Sequence, residues 1–335
     1  MRRLRLVPDT TNIDFFRYAS VTLGASVVAV IASLVIWLLV GLNFGIDFLG
    51  GTTIRTESPN AVVVGDYRDA LQPLDLGDVA ISEVYDPSFG PDENVAMIRI
   101  QAQEGQESVS EGLIQRAEEA LRGADPDVQF VSVESVGPKV SGELVQTAIL
   151  ALGCAIGAIL VYIWLRFEWQ FAVGAVAALI HDVILTIGIF SLLQIRFDLA
   201  TIAALLTVVG YSINDTVVIF DRLRENLRKY KKMALRDVMN LSVNETLSRT
   251  LMTSGTTLIA LIALLALGGD VIRGFVFAIT WGIIVGTYSS VYVAKNIVLI
   301  LGVNREPKAD PVAGTQFAGA ERTDAETDDG AVRGD

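Results

Sequence analysis

The chain has 335 residues, of which 52% are hydrophobic and only 19% are charged. A soluble domain usually carries about 25% charged residues, so this composition argues against an ordinary soluble protein and indicates a membrane protein. The net charge of −12 argues against a nucleic-acid-binding protein, which needs clustered basic side chains. The single cysteine, Cys154, excludes an intrachain disulfide, and with the single histidine, His181, it argues against a thiolate or histidine metal site.

Six apolar stretches are long enough to cross a bilayer, which takes about 20 helical residues. An arginine-containing leader, residues 1–20, precedes the first stretch. That stretch is too long for a cleaved signal peptide, so it is interpreted as an uncleaved anchor. The predicted spans are 21–42, 144–165, 171–195, 199–220, 250–269 and 274–293.

An external domain is predicted at residues 43–143, between the first two spans. Residues 43–142 contain 18 acidic and 6 basic side chains, a net charge of −12. Alternating apolar residues and turn signals predict strands at 52–57, 79–85, 94–100 and 128–136. Helices are predicted at 61–71 and 108–121, the second with an apolar face of Leu113, Ile114, Ala117 and Leu121. The order β-α-β-β-α-β predicts a ferredoxin-like α+β fold.

Basic residues predict the orientation of the spans. The leader has four arginines, the turn 166–170 has Arg166 and the segment 221–249 has eight basic residues, whereas the opposite short turns have one each. This pattern places both termini and a basic loop, 221–249, in the cytoplasm, and the 43–143 domain in the periplasm. The acidic segment 301–335 lacks apolar periodicity, which predicts a disordered cytoplasmic tail after the bundle 144–300.

Asp215 is the main candidate for a functional residue, because it lies within the fourth predicted span. A carboxylate there costs about 2.5–3.5 kcal/mol on insertion scales, so it is expected to face a partner or water. A carboxyl that alternates between a dry site and a cationic partner has the chemistry of a proton carrier. Arg249, at the start of the fifth span, is the nearest candidate cation. A structural contact with Asn or Ser of a neighbouring helix is the alternative.

Asp182, in the third span, is a weaker candidate, either for a proton relay or for a polar contact between helices. Adjacent side chains on a helix point about 100° apart, so His181 and Asp182 are expected not to face each other. His181 is therefore interpreted as structural, and Arg222 and Arg224 as topology determinants. Neither a nucleotide-binding motif nor a nucleophile–base pattern is evident, so we expect no enzyme activity, no ATP site and no cofactor. An ion gradient is the expected energy source.

Two segments resemble the SecD/SecF family of preprotein translocase subunits. Residues 45–51, GIDFLGG, are similar to the family's motif after the first span, with Gly45, Asp47, Gly50 and Gly51. Residues 210–222, GYSINDTVVIFDR, are similar to the fourth-span motif of its SecF members, with Gly210, Tyr211, Ser212, Asn214, Asp215, Asp221 and Arg222. The sequences at 136–138, 181–182 and 248–254 also fit, so the resemblance covers roughly residues 13–302.

The resemblance implies a mainly α membrane protein of the bacterial inner membrane. Its six-helix bundle would be half of a transporter of the resistance-nodulation-division type, with a ferredoxin-like external domain. The implied partners are SecD, the SecYEG channel, YajC, YidC, the translocating preprotein and membrane lipid, and no nucleic acid. The implied activity is use of the proton-motive force to promote preprotein translocation after the step driven by SecA.

The resemblance also implies site residues, with Asp215 as the proton-handling aspartate and Arg249 as its cationic partner. Two other functions stay open: half of a proton-driven exporter of small molecules or lipids, and a membrane scaffold that transports nothing. Coupling to sodium also stays open, because Ser212 and Asn214 supply oxygen atoms that suit that ion.

Overall fold

The computed structural model describes residues 11–77, 79–87, 89–90, 92–101 and 111–303. The chain begins with helix α1 (Ala19–Val40), followed by a two-residue strand β1 (Asn43–Phe44) and a short helix α2 (Ile46–Leu49). Residues 304–335, which include nearly all of the predicted tail, lie outside the described residues.

An α+β domain follows α2. Its elements are β2 (Gly51–Ser58), α3 (Val64–Leu71), β3 (Val79–Val84), β4 (Asn94–Gln101), α4 (Glu111–Ala124) and β5 (Gln129–Val136). The four strands form one antiparallel sheet in the order β3-β4-β2-β5. This is the ferredoxin-like topology, as predicted. The start of the predicted helix 108–121 lies outside the described residues.

The core of this domain lies between the sheet and its two helices. Ile54 and Ile98 from the central strands and Leu121 from α4 are fully buried. Burial of each such side chain stabilises the fold by about 1.5–3 kcal/mol. Alternate residues of a strand point to opposite faces, so these strands present one apolar face to the helices.

A buried polar contact joins α3 to the segment after α4. Asp125 accepts hydrogen bonds from Asn60 Nδ2 at 2.8 Å and from the Tyr67 hydroxyl at 3.1 Å. Burial alone would raise the pKa of Asp125, but hydrogen bonds from Ser58, Asn60 and Tyr67 outweigh it and hold that pKa below its usual value. Burial, followed by the charge of Asp125, raises the pKa of Tyr67 to about 12.

The rest of the chain is a helical bundle. Its elements are α5 (Pro138–Arg166), α6 (Trp169–Leu193), β6 (Arg196–Phe197), α7 (Leu199–Lys229), α8 (Leu235–Leu267), α9 (Asp270–Ser289), a π-helical turn (Ser290–Ala294) and α10 (Lys295–Leu301). With α1, six helical stretches of the described residues are long and apolar enough to span a membrane. The predicted fold class is confirmed.

Three helices form the centre of the bundle. In each helix we compare the most apolar stretch of 18 residues. In α6, 50% of this stretch is buried, and in both α7 and the helix from α9 to α10 the buried share is 44%. The corresponding fraction is only 6–11% for α1, α5 and α8, which therefore lie at the periphery. A polar side chain on the buried face of α6, α7 or α9 is thus shielded by protein, whereas the outer helices present apolar surface.

The predicted basic loop at 221–249 is mostly helical in the structure, because helices extend into it from both sides. α7 continues to Lys229 and α8 begins at Leu235, so only residues 230–234 connect them. Asn226 on α7 donates hydrogen bonds to Ser242 at 3.0 Å and to Glu245 at 2.6 Å on α8. These contacts hold the two polar helix ends together. Charge alone does not distinguish such helices from a loop.

Candidate functional site

Asp215 lies in the second half of α7, a helix with a well-defined first turn. Asp198 caps α7: its carboxylate accepts a hydrogen bond from the Thr201 N–H at 2.9 Å, and Thr201 completes a capping box. Asp215 is 4% exposed and faces α8, where Ser254 donates a hydrogen bond to it at 3.3 Å. Ser254 is also 2.8 Å from the Thr287 hydroxyl of α9.

Arg249 does not form a salt bridge with Asp215 in this structure, although the two charges are near enough to interact. Arg249 is exposed and precedes Ser254 by five residues on α8, which corresponds to about 7.5 Å along the helix. Asp215 therefore has one weak hydrogen bond among the described residues, and its predicted cationic partner lies nearby without direct contact.

Asp182 has a different environment, which we call the Asp182 cluster: His181, Asp182, Ser212 and Ser289. Asp182 is fully buried, and one of its carboxylate oxygens accepts from Ser212 at 2.6 Å and Ser289 at 2.8 Å. The other oxygen is 2.9 Å from His181 Nδ1. Three polar groups from α6, α7 and α9 thus converge on this carboxylate.

The expectation that His181 and Asp182 do not face each other is wrong. It considered only the directions in which adjacent Cβ atoms leave the helix, whereas side-chain torsions turn the imidazole back towards its neighbour. His181 Nε2 is buried and has no hydrogen-bond partner in the described part of the chain. The His181 ring stacks on Tyr288 with centroids 6.2 Å apart.

Two adjacent serines at the start of the π-helical turn contact different helices. Ser289 donates to Asp182 on α6, whereas Ser290 is 2.8 Å from the Thr216 hydroxyl on α7. α7 and α9 approach closely beside them, because a Cβ added to Gly286 would lie 3.0 Å from Ser212 Cβ. Thr287, Ser289 and Ser290 were not predicted from the sequence, where hydroxyl groups within an apolar span were the only signal.

The predicted motif 45–51 lies where the α+β domain joins the bundle. The Gly45 N–H donates to the Phe197 carbonyl at 2.8 Å, beside the parallel pairing of β1 with β6. Asp47 accepts from the Leu199 N–H, the first residue of α7, at 3.0 Å. Gly50 and Gly51 have φ angles of 76° and 137°, which favour glycine where the chain turns from α2 into β2.

A second contact joins the domain to the bundle. The Asp270 N–H at the start of α9 donates to the Tyr85 carbonyl, and Asp270 Oδ2 accepts from the Tyr85 N–H, both at 2.8 Å. The base of the domain is therefore held by α7 at one point and by the α8–α9 turn at another.

The remaining residues of the fourth-span motif have separate environments. The Tyr211 hydroxyl is 3.2 Å from the Thr257 hydroxyl, and Gly210 and Asn214 are exposed on α7. Asp221 forms a salt bridge with Arg166 at 3.1 Å, and Arg222 forms one with Glu245 at 2.7 Å. These last two residues lie where α5 and α7 end and α8 begins, which we call the polar end of the bundle. They stabilise this end and do not contact Asp215.

Lys295 is a buried lysine that was not predicted from the sequence, because the predicted sixth span ended at residue 293. It is 1% exposed, and its Nζ lies over the rings of Phe16, Phe15 and Tyr292 at 4.1, 4.9 and 5.2 Å. Cation–π contacts of this kind stabilise a desolvated ammonium by about 2 kcal/mol. They attach the segment before α1 to the last helix.

Comparison with known proteins identifies the family. A family model described as the C-terminal part of the protein export membrane proteins SecD/SecF matches residues 116–304, and a SecD/SecF GG motif model matches residues 35–58. The chain belongs to the SecD/SecF family. It is 68% identical to the protein translocase subunit SecF of Cereibacter sphaeroides over 317 residues, which cover 94% of this chain and 98% of that protein.

Longer SecD/SecF proteins also match. The chain is 38% identical to the translocase subunit SecDF of Brucella abortus, covering 95% of this chain and 41% of that one. The crystal structure of SecDF from Thermus thermophilus superposes with a TM-score of 0.78 at 34% identity, covering 88% of this chain and 39% of that one. The predicted family is confirmed, and the chain has the function of a SecF-type subunit of the Sec translocase. The SecDF relatives support SecD as its partner, and the exporter alternative is not supported.

Among the described residues, no group of three or more His, Cys, Asp or Glu side chains has the arrangement of a metal site. Six apolar helices and membership of the SecF type make the chain a multi-pass protein of the bacterial inner membrane.

Proposed function

We propose that this chain, with SecD, uses the proton-motive force to promote preprotein translocation through SecYEG after the SecA-driven step, and that Asp215 is the residue that binds the proton. The observation that carries this proposal is a contrast between two buried carboxyl groups. Asp182 has three polar partners within 2.9 Å, whereas Asp215 has one at 3.3 Å. Few hydrogen bonds hold the ionised form of Asp215, so it can exchange protons without dismantling a network.

Asp182 takes a positioning role in this proposal. Its partners come from three helices. Loss of the carboxylate would leave the buried Ser212 hydroxyl without its acceptor, at about 1–3 kcal/mol, whereas Ser289 would keep its hydrogen bond to the Gly286 carbonyl at 3.1 Å. The Asp182 cluster thus keeps α6, α7 and α9 in register while Asp215 changes its charge. Its importance for export is structural, with no proton passing through it.

α7 is the element that carries a change at Asp215 to the α+β domain. Asp215 lies 16 residues after Leu199, which is about 24 Å along the helix. The N–H of Leu199 bonds to Asp47 of the motif at the base of the domain. A small displacement of α7 relative to α8 therefore moves the point at which the domain is attached, and the domain acts on the emerging preprotein.

Arg249 completes the cycle as the partner of the ionised carboxylate. In the proposed cycle, Arg249 forms a salt bridge with Asp215 after the proton leaves, and protonation releases it. Its position on α8 near Asp215, without a salt bridge, supports a pair that forms in only one state. We also propose that both termini are cytoplasmic, that the α+β domain is periplasmic, and that YajC and YidC are accessory partners.

The proposal is tested in inverted inner-membrane vesicles that contain the chain, SecD and SecYEG, with SecA and ATP supplied and a proton gradient imposed. Asp215→Asn keeps the shape of the side chain and removes its charge. We expect it to lose the gradient-dependent part of preprotein translocation and to retain the ATP-driven part. Asp237→Asn, which neutralises an exposed carboxylate on α8, is the matched control and should retain both.

Two outcomes would contradict the proposal. Full gradient stimulation in a normally assembled Asp215→Asn complex would remove Asp215 from the coupling and leave a scaffolding role. Stimulation by an imposed sodium gradient in place of a proton gradient would identify sodium as the coupling ion.

A further inference from the structure

The polar end of the bundle contains an open pocket between the end of α5 and the end of α7. It is lined by Arg166, Asp221, Arg224, Glu225, Arg228 and Lys229. We propose that this pocket binds the phosphate of an anionic phospholipid headgroup. The inference rests on the proposed membrane placement but is independent of proton coupling at Asp215.

The two acidic residues of the pocket do not neutralise its basic ones. Asp221 forms its salt bridge with Arg166 at 3.1 Å, and Glu225 forms one with Arg222, which lies outside the pocket. Within the described part of the chain, Arg224, Arg228 and Lys229 have no salt bridge to a carboxylate. The pocket therefore has two more basic side chains than acidic ones, and three cations without a paired anion.

Two of the arginines are held in place before any ligand binds. Arg166 and Arg224 both lie over the ring of Phe167, with guanidinium carbons 5.1 and 6.0 Å from its centroid. Arg224 also donates a hydrogen bond to the Arg166 carbonyl at 3.3 Å. Two guanidinium groups beside one ring repel each other, and Asp221 offsets only one of them. An anion with several acceptor oxygens would bind both, as phosphate does with arginine pairs.

The surroundings of the pocket favour a lipid over a soluble anion. Three exposed apolar residues lie within three positions of the pocket residue Arg166 in the sequence. They are Trp164, Leu165 and Trp169, which are 60%, 82% and 51% exposed. Tryptophan is enriched where a membrane protein meets the headgroup region, and basic pockets between spans at the cytoplasmic side bind anionic headgroups. A phospholipid would thus place its phosphate in the pocket and its acyl chains against this apolar surface.

The test compares two double variants of the full chain that remove the same charge. Arg224→Gln with Arg228→Gln alters the pocket, whereas Lys231→Gln with Lys232→Gln alters exposed lysines of the same polar end outside it. Binding of phosphatidylglycerol to the purified chain in detergent is measured by native mass spectrometry, with phosphatidylcholine and inorganic phosphate as probes in separate arms. Unfolding temperatures without added lipid report whether each variant is folded.

We expect the arginine pair to weaken phosphatidylglycerol binding by about 25-fold, which is about fivefold for each charge removed near a membrane surface. The lysine pair should weaken it by less than about twofold, because its charges lie outside the pocket. Equal losses in the two variants would overturn the proposal and assign the effect to general attraction by basic residues. Equal affinity for phosphatidylcholine, or displacement by inorganic phosphate at the same concentration as the lipid, would also overturn it. Because this assay involves no translocation, its result is independent of the Asp215→Asn experiment.

Discussion

Replacement of Gly282 by alanine should separate α7 from α9. A Cβ at this position would lie 2.2, 2.6 and 2.9 Å from Cγ2, Cγ1 and Cβ of Val208. Carbon atoms in contact are normally about 3.5–4.0 Å apart, so the helices must move by more than about 1 Å. Overpacking of this kind costs about 1–3 kcal/mol. With an unfolding entropy of about 2.1 cal/mol/K per residue, each kcal/mol lowers the unfolding temperature of a chain of this size by about 1–2 °C.

The matched control is Gly157→Ala on α5, where an added Cβ meets no atom within 4 Å. Alanine is a better helix former than glycine by about 0.5–1 kcal/mol, so this variant should be as stable as the parent or slightly more stable. Thermal unfolding of the purified full chain in detergent measures both. Val208→Ala removes the two shortest contacts, so it should partly restore stability to Gly282→Ala and reveal a favourable coupling between the two changes.

Unfolding of Gly282→Ala at the same temperature as Gly157→Ala would contradict this prediction. Such a result would mean that α7 and α9 adjust at no cost, and that the contacts of Ser212 and Ser289 with Asp182 do not depend on close packing. A loss of stability that Val208→Ala leaves unchanged would place the strain elsewhere.

Two further predictions concern the α+β domain. The folded pKa of Asp125 lies below its unfolded value, so its stabilising contribution is present above that unfolded value and is lost as the pH falls through the folded pKa. Hydrogen exchange of β2 amides should therefore accelerate as the pH is lowered from about 5 to 3, after correction for intrinsic rates, and Asp125→Asn should flatten this dependence. Asp270→Ala removes one of two hydrogen bonds to Tyr85, so spin-label distances between the domain and α9 should broaden without loss of helix content. Unchanged distance distributions would show that this contact does not hold the domain.

Much of the architecture follows from local patterns in the sequence. Six apolar stretches predict six spans, and the alternation of strand and helix signals predicts the sheet order of the α+β domain. Asp215 is recognisable because a carboxylate within an apolar span is rare. The ends of α5, α7 and α8 were harder to predict, because these helices continue beyond their apolar stretches as polar segments that resemble loops in charge and composition.

The partners of the buried polar groups could not be predicted from the sequence. Ser212 and Ser289 are 77 residues apart in the chain, and both contact Asp182 only because α7 and α9 pack against α6. Lys295 was not predicted because it follows the end of the predicted sixth span, and the residues that cover it precede α1. Contacts between residues far apart in the chain depend on which helices pack against each other, and a short stretch of sequence does not contain that information.

The π-helical turn at Ser290–Ala294 has a consequence for how sequences of this type are compared. Such a turn places one additional residue in the helix, so the phase of the 3.6-residue periodicity is reset there. Before the turn, the hydroxyl groups of Thr287 and Ser289 contact α8 and α6. After the turn, the Lys295 side chain lies over aromatic rings. A single periodic template fitted across the whole span would assign one of these halves to the wrong face. Relatives are better compared by treating residues 270–289 and 295–301 as two separate helical registers.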